Sequence, residues 1–373
     1  MIQNLNICMI SKFPPIEGGM ASSAYWLARG LQEKNENVTI LTNSNVVENE
    51  YRIANCDIIN KNMDIKLIEL HNNFIIPQRP HDIAGFLESF CKIKANKRID
   101  VIDAQYLVPY GIVAYMINKM FGIPYILRHG GSDVERFLKR GVFSELLNKV
   151  IDCAYVVDSV DKYVQGKSRN FVSMPTYIPH PEFNTSNRTK SERIRIAYIG
   201  KIPECYQFKD LDKIVKIFQP FYKEIELSFL SQGRGVENFK SNVDTSRIKM
   251  VDFIPPWKMP SFYKNIDCIL YFLNNNPLPD WSNVILESLV SGVKVITDDV
   301  SFFKKFSLSD KILNNNFIQV NLSDSPKNVY NNIVEGLSKT YIPYRQDYNG
   351  YINRCIQLYR KTATSCKLQH INT

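Results

Sequence analysis

Ile194-Arg195-Ile196-Ala197-Tyr198-Ile199-Gly200-Lys201 reads as an apolar strand ending on a glycine and a lysine, and it follows a break in the chain's rhythm. Just before it, His180-Pro181 leads into a polar run (Asn184, Thr185, Ser186, Asn187, Thr189, Ser191) that reads as a linker. Downstream, the spacing predicts helix Leu211–Phe218, strands Glu226–Leu230 and Lys249–Phe253, and helix Met259–Lys264. Strand Ile269–Leu273, helix Asn283–Val290 and strand Lys294–Thr297 follow. Upstream the same alternation runs from strand Leu5–Ile10 through a Pro14–Gly19 loop into helix Ala21–Lys34, apolar at Ala24, Leu27, Ala28 and Leu31. Strands Val38–Thr42, Asp57–Leu70, Val101–Ala104, Tyr125–His129 and Ala154–Asp158 are then interleaved with helices Phe86–Ala95 and Gly111–Phe121. Strands separated by helical stretches predict parallel, doubly wound sheets. The expected class is α/β, with two doubly wound units joined by the linker and a cleft between them where the carboxyl ends of both sheets meet a ligand.

Length agrees, since 373 residues at roughly 150 per domain make about two domains. Hydrophobic residues are 45% and charged residues 22% of the chain, which excludes a disordered chain, a collagen-like fibre and a disulfide-stapled miniprotein. The formal charge of +9 is uneven: residues 1–185 hold 20 basic and 19 acidic groups, and residues 186–373 hold 26 and 18. A basic second half suits an anionic ligand, and equally an ordinary solvated face. The eight cysteines are scattered without a close pair, so no zinc or redox motif is read and a reducing compartment is expected. Asn4 and Asn6 interrupt Met1–Ile10, which does not read as a signal peptide, and no run approaches the roughly 18 apolar residues that span a bilayer. The expected location is the cytoplasm, free or against the inner face of the membrane.

Four stretches can carry chemistry. In the first, Pro14 to Ser22, Gly18-Gly19 lets the backbone approach a ligand and leaves a helix N-terminus open to an anion, but without G-x-G-x-x-G spacing. In the second, Arg128-His129-Gly130-Gly131, His129 stands at a strand end, where it can donate to a substrate hydroxyl or simply cap the strand. The third pairs Lys201 at a strand end with Lys209 entering the next helix, able to hold a diphosphate between them. Asp210-Leu211-Asp212 has the letters of a D-x-D metal motif, but both aspartates suit a helix's first turn. The fourth is Pro279-Asp280-Trp281-Ser282-Asn283-Val284-Ile285-Leu286-Glu287, where Ser282 can cap a helix that puts Asn283 and Glu287 on one face. A carboxylate on an otherwise apolar helix needs partners, and two sugar hydroxyls serve.

Together these stretches resemble the retaining, nucleotide-sugar-dependent glycosyltransferases of family 4, which have the two-domain GT-B architecture. The resemblance runs through Gly18-Gly19, Pro109-Tyr110-Gly111, Ile123-Pro124, His129-Gly130, Gly200-Lys201 (where the family usually has Gly-Arg), Lys209 and Gly233-Arg234-Gly235. It continues through Phe253-Ile254-Pro255, Met259–Tyr263, Asn283–Glu287 and Ser291-Gly292. It implies an N-terminal acceptor domain (residues 1–184, with the last stretch, about 346–373, returning to it) and a donor domain (residues 185–345). By the same resemblance Glu287 holds the ribose hydroxyls, Lys201 and Lys209 bind the diphosphate in place of a metal ion, and Ile254 lies against the base. Amides near Ser282, Asn283 and Val284 complete the phosphate cradle with Gly18 and Gly19, and His129 contacts the donor sugar. No cofactor is implied, and the nucleotide sugar is a substrate. The first glutamate of the family's E-x7-E motif is replaced by Pro279, with Asp280 one place on. Either the donor differs, Asp280 substitutes, or activity is lost.

The implied partners are a nucleotide-sugar donor and a saccharide or lipid-linked acceptor, in surface polysaccharide or glycolipid synthesis. Phe90–Arg98 and Phe137–Leu147 mix basic and apolar residues in a way that suits an anionic membrane surface. The basic residues are not interleaved with a stacking aromatic stripe, so nucleic acid is not expected. Two other readings stay open: a catalytically weak nucleotide-sugar-binding scaffold, motivated by Pro279, and a sugar-nucleotide epimerase of the same architecture.

Overall fold

Val101–Gln105, Tyr125–Arg128 and Lys294–Thr297 are buried along their whole length, the pattern of strands covered by helices on both faces. A computed structural model describes residues 4–14, 16, 18–43, 64–68, 80–128, 133–158, 164, 166–184, 189, 191–230, 233–273 and 282–369. The chain divides into two compact units, Met1–Ile178 with Asp347–Thr373, and Pro179–Gln346.

The first unit holds β1 (Asn6–Ile10), β2 (Asn37–Asn43), β3 (Asp64–Ile68), β4 (Val101–Gln105), β5 (Tyr125–Arg128), β6 (Tyr155–Asp158) and β7 (Asn170–Ser173). They form one sheet in the order β3-β2-β1-β4-β5-β6-β7, every pair parallel. Helices Gly19–Glu33, Pro80–Asn96, Ile112–Phe121 and Ser144–Asp152 connect the strands. The last helix, Tyr348–Gln369, belongs to this unit and is tied in by tyrosines. The Tyr348 hydroxyl donates to the Trp26 carbonyl at 2.8 Å, and the Tyr351 hydroxyl to the Thr176 carbonyl at 3.1 Å. Beneath it Arg128 and Asp103 form a fully buried ion pair at 3.0 Å, and Tyr359 donates to the same carboxylate. Burial opposes the guanidinium's charge, yet Asp103 keeps its pKa well above the ordinary value.

The second unit holds β8 (Ile194–Tyr198), β9 (Ile225–Leu230), β10 (Lys249–Val251), β11 (Cys268–Leu270), β12 (Lys294–Thr297) and β13 (Phe317–Gln319), in the order β10-β9-β8-β11-β12-β13, again all parallel. Both sheets are doubly wound: the strand order reverses between β1 and β4 in one and between β8 and β11 in the other. No helix among the described residues is long and apolar enough to cross a membrane.

The unit boundary falls at Ile178/Pro179, six residues before the sequence-based boundary. Pro179-His180-Pro181 opens a short 3-10 turn whose Phe183 ring packs 5.8 Å from Tyr263, inside the second unit. The strand expected over Lys249–Phe253 stops at Val251, which pairs with Leu230, the last residue of its neighbour β9. The strand expected over Ile269–Leu273 ends at Leu270. Beyond it the Leu273 amide turns to the Asp298 carboxylate at 3.0 Å.

Candidate functional site

In an open parallel sheet, ligands bind beyond the carboxyl ends of the strands where the order reverses. In the second unit that place lies at the ends of β8 and β11. After β8 the chain runs through Gly200-Lys201 into a 3-10 turn, Tyr206–Lys209, and then helix Leu211–Phe218. Tyr198, the last residue of β8, donates its hydroxyl to the Lys201 carbonyl at 3.2 Å. The Lys209 ammonium donates to that same carbonyl and to the Tyr198 hydroxyl, both at 3.1 Å. Burial pushes the Lys209 pKa down, and repulsion from the nearby Lys201 ammonium pushes it further the same way. Two like charges at one strand end cost free energy that an anion between them returns.

After β11, burial pushes the Tyr271 phenol up, and the nearby Ser282 side chain partly offsets that. Ser282 stands at the N-cap of helix Asn283–Val290 but makes no side-chain cap. The capping role expected of its hydroxyl is therefore corrected: the side chain accepts from none of the first helix amides. The first intrahelical bond runs from the Ile285 amide to the Ser282 carbonyl at 3.0 Å. The Asn283 and Val284 amides precede it, at the positive end of the helix. One turn on, Glu287 is 3% exposed and accepts a hydrogen bond from the Tyr263 hydroxyl at 3.1 Å. Burial and the Glu287 charge together hold the Tyr263 phenol far above its ordinary range, so it remains a donor.

The Gly233-Arg234-Gly235 turn explains its own composition. Gly233 has φ +100, and the Gly235 amide donates to the Ile202 carbonyl at 3.0 Å. A Cβ on Gly235 would lie 1.8 Å from the Pro203 carbonyl oxygen. Only glycine lets this turn sit against Ile202-Pro203, directly behind Lys201.

The sequence candidates thus fall into three groups. Lys201 with Lys209, and Glu287 with Ser282, Asn283 and Val284, stand at the ends of the two strands that flank the reversal. Ile254 follows β10, the sheet edge on the β9 side, and is half-buried. Gly18 and Gly19 belong to the first unit, where Gly18 (φ 115) is the N-cap of helix Gly19–Glu33. His129 and Asp280 lie outside the described residues. Asp210 forms an ion pair with Lys213 at 2.7 Å at the start of its helix. Sequence reasoning missed Tyr198 and Tyr271 and gave Tyr263 no part beside Glu287. Their only signal was a tyrosine at the end of an apolar run.

A cavity of about 390 Å³ opens at the opposite, amino end of this sheet, lined among others by Arg193, Asp267, Lys294 and Lys339. Three of these charges are already committed. Lys294 donates to the Gly336 and Lys339 carbonyls at 2.6 Å, Asp267 pairs with Arg195 at 2.9 Å and Arg193 with Glu226 at 2.9 Å. We place no ligand there.

No family model matches this chain, and no curated protein matches it. Solved structures resemble it over most of its length. HepE from Anabaena in complex with UDP and glucose is 12% identical, with 97% of this chain and 93% of that chain covered and a TM-score of 0.57. The fold is shared. WaaG, a glycosyltransferase involved in lipopolysaccharide biosynthesis, is 11% identical over 89% of this chain and 90% of its own, with a TM-score of 0.52. UDP-GlcNAc 2-epimerase from Methanocaldococcus jannaschii is 12% identical over 95% and 100%, with a TM-score of 0.57. At these identities the likeness carries the α/β fold of two Rossmann-like, doubly wound domains.

Proposed function

We propose that this chain is a glycosyltransferase that takes its sugar from a nucleoside-diphosphate sugar. The observation that carries the reading is the pairing, at the β8/β11 reversal, of two mutually repelling lysines with a buried carboxylate fixed by a tyrosine. In this reading Lys201 and Lys209 bind the diphosphate without a metal ion, and the Asn283 and Val284 amides add donors. Glu287 accepts from the ribose hydroxyls, Ile254 lies against the base, and His129 contacts the donor sugar. Departure of the nucleoside diphosphate needs stabilisation of developing negative charge, which the lysines supply. The diphosphate leaves on the side from which the acceptor hydroxyl arrives, and the anomeric configuration is retained. HepE in complex with UDP-glucose supports a nucleotide-sugar donor, and WaaG, a glycosyltransferase, supports glycosyl transfer. The acceptor is a saccharide or lipid-linked saccharide, in surface polysaccharide or glycolipid synthesis on the cytoplasmic side of the membrane.

The test is nuclear magnetic resonance of the protein with UDP-, GDP- or ADP-sugars and candidate acceptors. The expected result is release of nucleoside diphosphate and a new linkage with the donor's anomeric coupling. An epimerase fold-relative gives one competing outcome, an inverted sugar at C2 without transfer. The replacement of the motif's first glutamate by Pro279 gives another, binding without turnover, the mark of a scaffold.

A further inference from the structure

Six large apolar side chains stand exposed among the described residues, and five of them are Met116, Met120, Val142, Phe143 and Leu146 of the first unit. Met116 and Met120 lie four apart on one face of helix Ile112–Phe121, whose Val113, Ala114 and Ile117 are buried in the core. Leu146 lies on the outer side of helix Ser144–Asp152, whose Leu147, Val150 and Ile151 face inward. The two helices are neighbours over the same core cluster, so their outward faces open on the same side of the sheet. Val142 and Phe143 project from the turn before the second helix. Phe143 is 62% exposed and sits in the left-handed region at φ 54, a strained place for an aromatic residue. Nothing about folding alone favours a bare phenylalanine there.

The rim of this surface is basic. Lys119, Lys139, Arg140 and Lys149 are exposed beside it, against Glu145 and the half-exposed Asp152, which pairs with Arg169. The half of the chain that carries it is nearly neutral, with 20 basic and 19 acidic groups in residues 1–185, so the excess is local. The basic stretch Phe90–Arg98 offers no such face. Its large apolar side chains, Phe90 and Ile93, are buried.

We propose that the Met116–Met120 and Val142–Leu146 surface docks on an anionic lipid bilayer. Phe143 and Met120 enter the headgroup–acyl boundary, while Lys119, Lys139, Arg140 and Lys149 meet lipid phosphates. A basic rim around exposed apolar side chains is complementary to a surface that offers phosphates above an apolar layer. Shallow insertion into lipid needs no matching partner surface. The surface lies wholly in the first unit and does not rest on the nucleotide reading, although it suits a lipid-linked acceptor.

The test is co-sedimentation of the full chain with vesicles of phosphatidylcholine alone or mixed with phosphatidylglycerol. Wild type is expected to pellet with the anionic vesicles, less at high salt, and to stay in solution with phosphatidylcholine. Met120→Ser with Phe143→Asn, and separately Lys139→Glu with Arg140→Glu, should each lower partitioning by about tenfold or more. All four positions are exposed, so circular dichroism and melting should match wild type. Wild type remaining in solution, or both double variants pelleting as wild type does, would overturn the proposal. So would a dimer in sedimentation equilibrium that the Met120/Phe143 variant dissociates, since a second copy would then cover the surface. Nucleotide binding measured on the same samples keeps this outcome separate from the fate of the site in the second unit.

Discussion

Replacing Tyr263 by Phe removes one hydroxyl from a buried pair and leaves the ring in place. In wild type that hydroxyl lies 3.1 Å from the Glu287 carboxylate and 3.4 Å from the Val284 carbonyl, and both side chains are buried. A hydrogen bond to a charged group contributes about 1.5–3 kcal/mol, and a buried carboxylate that loses its donor adds desolvation cost. The expected loss is about 2 kcal/mol, or about 4–8 °C in melting temperature for a unit of this size. Calorimetry or urea unfolding of wild type, Tyr263→Phe, Glu287→Gln and the double variant closes a mutant cycle. The two positions should couple by about 1 kcal/mol or more. If Tyr263→Phe melts within about 0.5 kcal/mol of wild type, or the cycle closes with no coupling, the tyrosine does not hold the carboxylate and the argument fails.

The Lys209 ammonium gives a pH signature. Its folded pKa lies below the ordinary 10.5 through burial and Lys201. Between the two values the unfolded chain binds more protons, so stability rises with pH across that window. A bound diphosphate restores the charge, so binding takes up protons there and weakens as pH climbs through Lys209's own pKa. Calorimetric titration in two buffers of different ionisation enthalpy should reveal the uptake in wild type and not in Lys209→Met, which should also bind about 10- to 100-fold more weakly. Uptake that persists in the variant would assign the proton elsewhere. Gly235→Ala drives a Cβ against the Pro203 carbonyl and should cost about 1–3 kcal/mol, with weaker nucleotide binding because Lys201 shifts with Pro203. An unchanged urea midpoint would show that the turn does not pack as described.

Helices Leu211–Phe218 and Asn283–Val290 and strand Lys294–Thr297 have the limits that periodicity predicted. Their apolar spacing and their end residues agree, so local and tertiary preferences coincide. The edge strand β7 gave no signal, because Asn170 and Ser173 are exposed and its middle only half-buried. Helices Val236–Asn242, Asp310–Asn316 and Pro326–Ser338 were not foreseen either. Each buries only one to three residues, too few for a clear stripe. At the site, Lys201, Lys209 and Glu287 were legible because a charge at a strand end or on an apolar helix demands a reason. Tyr198, Tyr263 and Tyr271 were not, since a tyrosine inside an apolar run looks like core. Only the third dimension shows which way its hydroxyl turns.

The central claim is that the β8/β11 end of the second unit binds a nucleoside diphosphate through lysines and Glu287. The most direct measurement is the melting temperature with UDP, GDP and ADP, first in chelator and then with magnesium, for wild type and Glu287→Ala. One nucleotide should stabilise wild type in chelator, by about 2.7 kcal/mol at a hundred times its Kd, and leave Glu287→Ala unmoved. No shift with any nucleotide, a shift that requires magnesium, or an equal shift in Glu287→Ala would contradict the account.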